Sequence, residues 1–190
     1  MIPSEAITLI VKFEEFGAEA YPDPIHGWSV PTIGYGTTIY PDGRKVGVRD
    51  RITREEAAKY LDHHLNSKIL PALHKIPSYE RMFHMQVAAL ISFAYNLGEN
   101  FYGGKNFASI TRLCDRPDLW WNRDWVISQF IKYRAGAELG LGRRRYAEAL
   151  TFCWEDPLYA YAEAYRKLNS VEDIRALMPE EEALKLRRSW

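Results

Sequence analysis

A change of texture near residue 50 constrains the fold of this chain more than any other feature. Between Ala18 and Val48 proline, glycine, threonine and aromatic residues dominate, and Tyr40-Pro41-Asp42-Gly43 has the composition of a turn between strands. From Thr53 onward apolar residues recur at helical spacing almost to the end. A short strand-rich segment followed by a long run of helices predicts an α+β fold, mostly helical. It comprises a small antiparallel β lobe (18–48) and a larger helical lobe (81–155). A helix over 53–70 joins them: Thr53 with Glu56 is a capping-box pair, and Ala57, Leu61, Leu65 and Ile69 form one apolar stripe up to Pro71.

Ser4 is placed to cap a first helix whose apolar residues are Ile7, Ile10 and Val11 and which ends around Phe16-Gly17. Glu14 then falls in its last turn, on the face where an apolar residue is expected. Further helices are predicted from about Arg81 to Asn96 with Gly98 as stop, Phe107 to Cys114, Trp120 to Arg134, and Arg143 to Trp154. Asp156 with Pro157, Ser170 with Asp173, and Pro179 mark later helix starts. No repeat or linker divides the chain, so residues 1–155 are read as one domain and 156–190 as a helical extension packed on it.

The 190 residues, 47% hydrophobic and 14% aromatic, suffice for one core and lie far from disordered compositions. No run of about 18 apolar residues occurs, which excludes a transmembrane helix. Met1-Ile2-Pro3-Ser4-Glu5 shows neither a basic stretch leading into an apolar core nor a small-residue cleavage site. The chain is therefore expected to be made in a cytosol without a signal peptide and, if its substrate lies outside, to be released by another agent. A monomer is expected. Formal charge is zero, but residues 1–50 hold four basic against seven acidic residues and 101–150 nine against five. Chance scatter explains this as well as an acidic catalytic lobe facing a basic one that meets an anionic polymer. The absence of a dense basic tract argues against nucleic-acid binding. Cys114 and Cys153 are too few for a metal cluster or disulfide framework and read as core thiols.

Glu14, Asp23 and Thr32 follow one another with eight residues between each pair. An acid that gives a proton, a carboxylate that takes one and a hydroxyl that holds a water are the parts needed to hydrolyse a glycosidic bond. Singly, Glu14 is weak evidence, because Glu15 and Glu19 are close by and an acidic helix end is ordinary. At a helix C-terminus a glutamate also opposes the macrodipole unless a cation pairs with it.

The texts Phe13-Glu14, Ala20-Tyr21-Pro22-Asp23 and Thr32-Ile33-Gly34-Tyr35-Gly36-Thr37 resemble the phage-type lysozymes, the endolysin muramidases of tailed bacteriophages. The resemblance continues through Ile52-Thr53-Arg54-Glu55-Glu56-Ala57, the run from Gln86 to Gly98, and Gly140-Leu141-Gly142-Arg143-Arg144-Arg145-Tyr146-Ala147-Glu148. It implies a lysozyme-like fold and a muramidase for bacterial cell-wall lysis. Such an enzyme cuts the β-1,4 bond between N-acetylmuramic acid and N-acetylglucosamine in the glycan strands of peptidoglycan, with inversion and without cofactor or metal. Glu14 matches the general acid, Asp23 the second carboxylate and Thr32 the hydroxyl that helps hold the attacking water. A lytic transglycosylase and a non-catalytic peptidoglycan-binding protein are the alternatives. Two departures stand out. The loop 24–31 is longer than in compact members, and 135–139 is one residue short and lacks an expected proline.

Around these residues several readings stay open. Gly34 and Gly36 mark loose strand packing or a floor that lets sugar rings approach the backbone. Tyr21 and Tyr35 stack on sugars or sit in the core. Gln86 and Asn96 hydrogen-bond a glycan or serve as ordinary helix residues. Arg143, Arg144 and Arg145 are consecutive and point in different directions on a helix. One is expected to pair with Glu148, and Arg144 is assigned to approach Glu14, as the resemblance suggests. Trp120, Trp121 and Trp125 are read as core. His63, His64 and His74 make no metal motif.

Overall fold

The computed structural model describes residues 1–24, 26–133 and 139–178. Residues 135–138 of the shortened segment and the helix start expected at Pro179 lie outside the described residues. In chain order the elements are α1 (Ser4–Phe13), β1 (Gly17–Asp23), β2 (Gly27–Gly34), α2 (Arg54–His64), α3 (Leu70–Leu73), α4 (His84–Leu97), α5 (Ala108–Asp115), α6 (Arg123–Ile131), α7 (Leu139–Phe152), α8 (Pro157–Lys167) and α9 (Val171–Arg175). This is a small two-stranded antiparallel sheet attached to a larger helical body.

The β lobe is sparser than the turn-rich text suggests. Strands β1 and β2 pair Tyr21 with Thr32 and Pro22 with Pro31, with irregular register on either side. Among the described residues, isolated bridges alone extend the pairing: Glu19 with Arg51, Ile33 with Thr37 and Ile39 with Lys45. Its core is Ile33, Tyr40 and Val46. Polar chemistry around Asp50 makes up for that small core. A single oxygen, Oδ2, accepts from the Tyr40 hydroxyl at 2.8 Å, Arg44 Nη1 at 2.9 Å and the Gly47 N–H at 2.8 Å. The Ala20 N–H in turn donates to the Asp50 carbonyl, tying the knot to β1.

The joining helix begins with the expected Thr53–Glu56 capping box. It does not stop at Pro71. A π turn over Leu65–Ile69 carries the Leu70 N–H to the Leu65 carbonyl, and α3 continues to Leu73. Proline in a regular helix strikes the carbonyl four residues back; the wider turn moves that carbonyl aside, so the helix absorbs the ring. The stripe Ala57, Leu61, Leu65 and Ile69 is buried as expected.

In the helical body α4 is the axis: every residue from Met85 to Ala94 is buried, between α1 on one side and α7 on the other. It starts at His84 rather than Arg81, because Tyr79–Arg81 closes as a separate 3₁₀ turn. It ends at Gly98, whose φ of 100° suits glycine. The first helix is shorter than expected. Pro3 rather than Ser4 is its N-cap, and it ends at Phe13 with Glu14 as an extended C-cap. Its buried face is Ala6, Leu9 and Ile10, leaving Ile7 and Val11 at the exposed edge. Of the tryptophans, Trp120 is core and donates to the Leu113 carbonyl, whereas Trp121 is 73% exposed, against the expectation. Both cysteines are free thiols. Helix α8 packs on α7 and α1, and α9 on α7. There Ile174 lies so close to Gly142 that an added Cβ would fall 2.1 Å from its Cδ1.

Candidate active site

A cleft of about 950 Å³ runs between the hairpin side and the helical body, and Glu14, Asp23 and Thr32 all line it. Each arrives by a different local device. Glu14 is where α1 ends: its N–H still bonds the Ile10 carbonyl at 2.8 Å, but its backbone is extended, so the side chain leaves the helix at the cleft edge. Thr32 sits on β2 directly across from Tyr21, and the Thr32 hydroxyl donates to the Val30 carbonyl at 3.2 Å. Asp23 closes β1. Its Oδ1 accepts from the His26 N–H at 2.7 Å and lies 3.0 Å from His26 Nδ1, so the turn after β1 folds back on the carboxylate; of the expected loop 24–31, the residues from Gly27 on belong to β2.

Behind Glu14 stands a buried ionic network. Arg144, 4% exposed at its side chain, bonds Glu14 Oε1 through Nη1 and Glu148 Oε1 through Nε at 3.2 Å. Its Nη2 donates to the Ser92 carbonyl at 3.2 Å. Glu148 Oε1 also accepts from Ser92 Oγ at 2.8 Å and Arg145 Nη2 at 2.9 Å. Arg145 Nη2 donates further, to Asn96 Oδ1 at 3.1 Å. Full burial pushes the Glu148 carboxyl up, against the pull of the Arg145 and Arg144 guanidiniums. The three consecutive arginines do diverge. Arg143 turns to α8, donating to the Leu168 carbonyl and covering the Tyr165 ring at 4.4 Å.

Tyr21 lines the cleft beside both carboxylates, and its phenol is pushed up first by burial and then by Glu14, Asp23 and Glu15. Three further residues read as sugar contacts lie elsewhere. Tyr35 is buried against Phe16, with ring centroids 5.6 Å apart, and its carbonyl accepts from the Tyr95 hydroxyl at 2.7 Å. Gly34, at φ 66°, faces the joining helix: an added Cβ would lie 3.0 Å from Ile52 and 3.1 Å from Ala57. Glycine serves close packing there, and Gly36 is the one on the cleft. Gln86 is buried at the far end of α4 and accepts from the Phe83 N–H at 3.0 Å, capping its own helix.

Sequence reasoning passed over the opposite wall. Tyr60, His63, His64, Ser67 and Lys68 of the joining helix line the cleft. Their spacing is the signal that was available: they recur every three or four residues along a face that flanks the apolar stripe. Burial pushes the His64 imidazole down, with Glu99 pulling the other way.

The geometry has counterparts among known proteins. Residues 11–148 match the family model for phage lysozyme. An endolysin from Escherichia coli O157:H7 phage FAHEc1 is 27% identical, covering 80% of this chain and 92% of its own, with a TM-score of 0.58. The muramidase domain of SpmX from Asticaccaulis excentricus shares the fold at 23% identity and a TM-score of 0.60 over 80% and 97% of the two chains. The active form of P1 phage endolysin Lyz shares it at 24% and 0.52 over 78% and 82%. No curated protein matches by sequence. With the family model spanning well over half of its length, the chain belongs to the phage lysozyme family.

Proposed function

We propose that this protein is a muramidase that hydrolyses the β-1,4 bond between N-acetylmuramic acid and N-acetylglucosamine in peptidoglycan, inverting the anomeric centre. The observation that carries the reading is the convergence of Glu14, Asp23 and Thr32 on one cleft large enough for a glycan strand. Glu14 gives its proton to the glycosidic oxygen as the bond to the anomeric carbon breaks. A water held by the Thr32 hydroxyl and Asp23 attacks the opposite face, and Asp23 takes the water's proton. Arg144 fixes the Glu14 carboxyl and balances the charge left when the proton has gone. Tyr21 lines the substrate path beside them.

Products from purified peptidoglycan test this. Hydrolysis releases free reducing sugars, one per bond cut, and proton NMR of the first product reads the inverted anomer. Anhydro ends without reducing sugar would assign a lytic transglycosylase instead, and no soluble product would assign a wall-binding protein of this fold.

A further inference from the structure

We propose that Asn96 is a substrate-binding residue whose side-chain N–H donates to the acetamido carbonyl oxygen of a bound amino sugar, a role that rests on the glycan-cleaving reading above. Asn96 is the penultimate residue of α4 and lines the cleft. The two ends of an asparagine amide are ordinarily hard to tell apart, but here chemistry decides. The group 3.1 Å from Asn96 is the Arg145 guanidinium, which has donors only, so the atom facing it is the oxygen. Arg145 is fully buried, bonded to Glu148 and lying 4.8 Å over the Phe93 ring, so the amide is held in that sense.

With Oδ1 turned inward, Nδ2 is left toward the cleft. Among the described residues nothing accepts a hydrogen bond from it, and it is not among the buried unpartnered atoms. Of the cleft hydroxyls, that of the adjacent Tyr95 donates to the Tyr35 carbonyl and that of Thr32 to the Val30 carbonyl. Asn96 is therefore a neutral donor in a region whose other polar groups include the acceptors Glu14, Asp23 and Glu99. The strongest neutral acceptor on an amino-sugar polymer is the acetamido carbonyl. The placement also has a register: Arg145 and Arg144 bond the same Glu148 oxygen, and Arg144 reaches Glu14. The donor and the acid are thus held from one point, which sets a sugar against the scissile bond.

Asn96→Asp is the discriminating variant, because it keeps an oxygen for Arg145 and has no N–H. Binding is measured calorimetrically in a Glu14→Gln background with peptide-free oligosaccharides of the wall glycan, and again after their chemical de-N-acetylation. On the acetylated glycan Asn96→Asp is expected to raise Kd roughly tenfold, the value of one hydrogen bond lost to a binding partner. On the de-N-acetylated glycan the loss vanishes or reverses, because an ammonium now faces the carboxylate. Equal losses on both glycans, or none on the acetylated one, overturn the proposal. Should Asn96→Asp lose its circular-dichroism signature, Asn96→Ser is read by the same double comparison. Wild-type protein releasing no reducing sugar from peptidoglycan sinks the glycan-cleaving reading instead, a separate result.

Discussion

Glu14 and Asp23 face the same cleft, yet one is backed by a buried network and the other by an exposed turn. Four charges, Glu14, Arg144, Glu148 and Arg145, alternate in sign along the helical side, and three of them are shielded from water. On the hairpin side, Asp23 is held by His26, whose ring is largely in solvent. The cores differ in the same way, a continuous helical body against the trio Ile33, Tyr40 and Val46. Low dielectric strengthens a satisfied network and magnifies its failure. The helical wall is accordingly built to hold a geometry, and the hairpin wall to be adjustable.

The largest effects fall on the helical wall. Glu14→Gln is expected to lower release of reducing sugar from peptidoglycan by roughly 10²–10⁴-fold, because the amide keeps the size but cannot donate the proton. The exposed neighbour Glu15, as Glu15→Gln, stays near parental activity. Parental turnover in Glu14→Gln would remove Glu14 from the chemistry. Glu148→Ala attacks the same wall from behind. It leaves two buried guanidiniums without their shared acceptor and is expected to cost about 3–5 kcal/mol in urea unfolding. A cost under 1 kcal/mol would mean that water replaces the carboxylate and that the contrast between the walls is not one of burial.

How far the sequence carried each wall follows from what kind of signal it holds. Local patterns were legible: the Thr53–Glu56 box, the stripe from Ala57 to Ile69, the stop at Gly98 and the Ser170–Asp173 start all rest on neighbours a few residues apart. Arg144 was assigned through a family likeness, and the structure joins it to Glu14 across 130 residues. What stayed hidden depends on tertiary neighbours. Nothing local says that Gly34 meets Ala57, that Tyr35 packs under Phe16, or that Gln86 turns back on its own helix. Pro71 misled because a π turn, which has no composition signature, made room for it.

On the hairpin wall the expected effects are smaller and fall on activity before stability. Asp23 and His26 lie in one turn near solvent, so His26→Ala removes a side-chain contact but leaves the His26 N–H bond to Asp23 in place. Activity is expected to fall by up to about tenfold, consistent with one partly exposed hydrogen bond of about 0.5–1.5 kcal/mol. The urea midpoint should stay where it is. A shifted midpoint with unchanged turnover would reverse the comparison, making the turn structural.

The smallest effect concerns acid stability of the β lobe and turns on Asp50. Its carboxyl is held below the usual value of 3.8, first by the Gly47 N–H and then by the Tyr40 hydroxyl and Arg44. A group whose folded pKa is depressed adds stability that is fully present above its unfolded pKa and is lost as pH falls through the folded one. The contribution is therefore whole at pH 5 and decays below about pH 3.8. Asp50→Asn keeps the shape and removes the charge, so it should melt lower than the parent at pH 5, and the gap should close as the pH drops. Because Asp50 is near solvent, added salt should narrow the gap at pH 5 as well. A gap that is constant from pH 5 to pH 2.5 would assign the knot to hydrogen-bond geometry alone, and the hairpin wall would then owe nothing to charge.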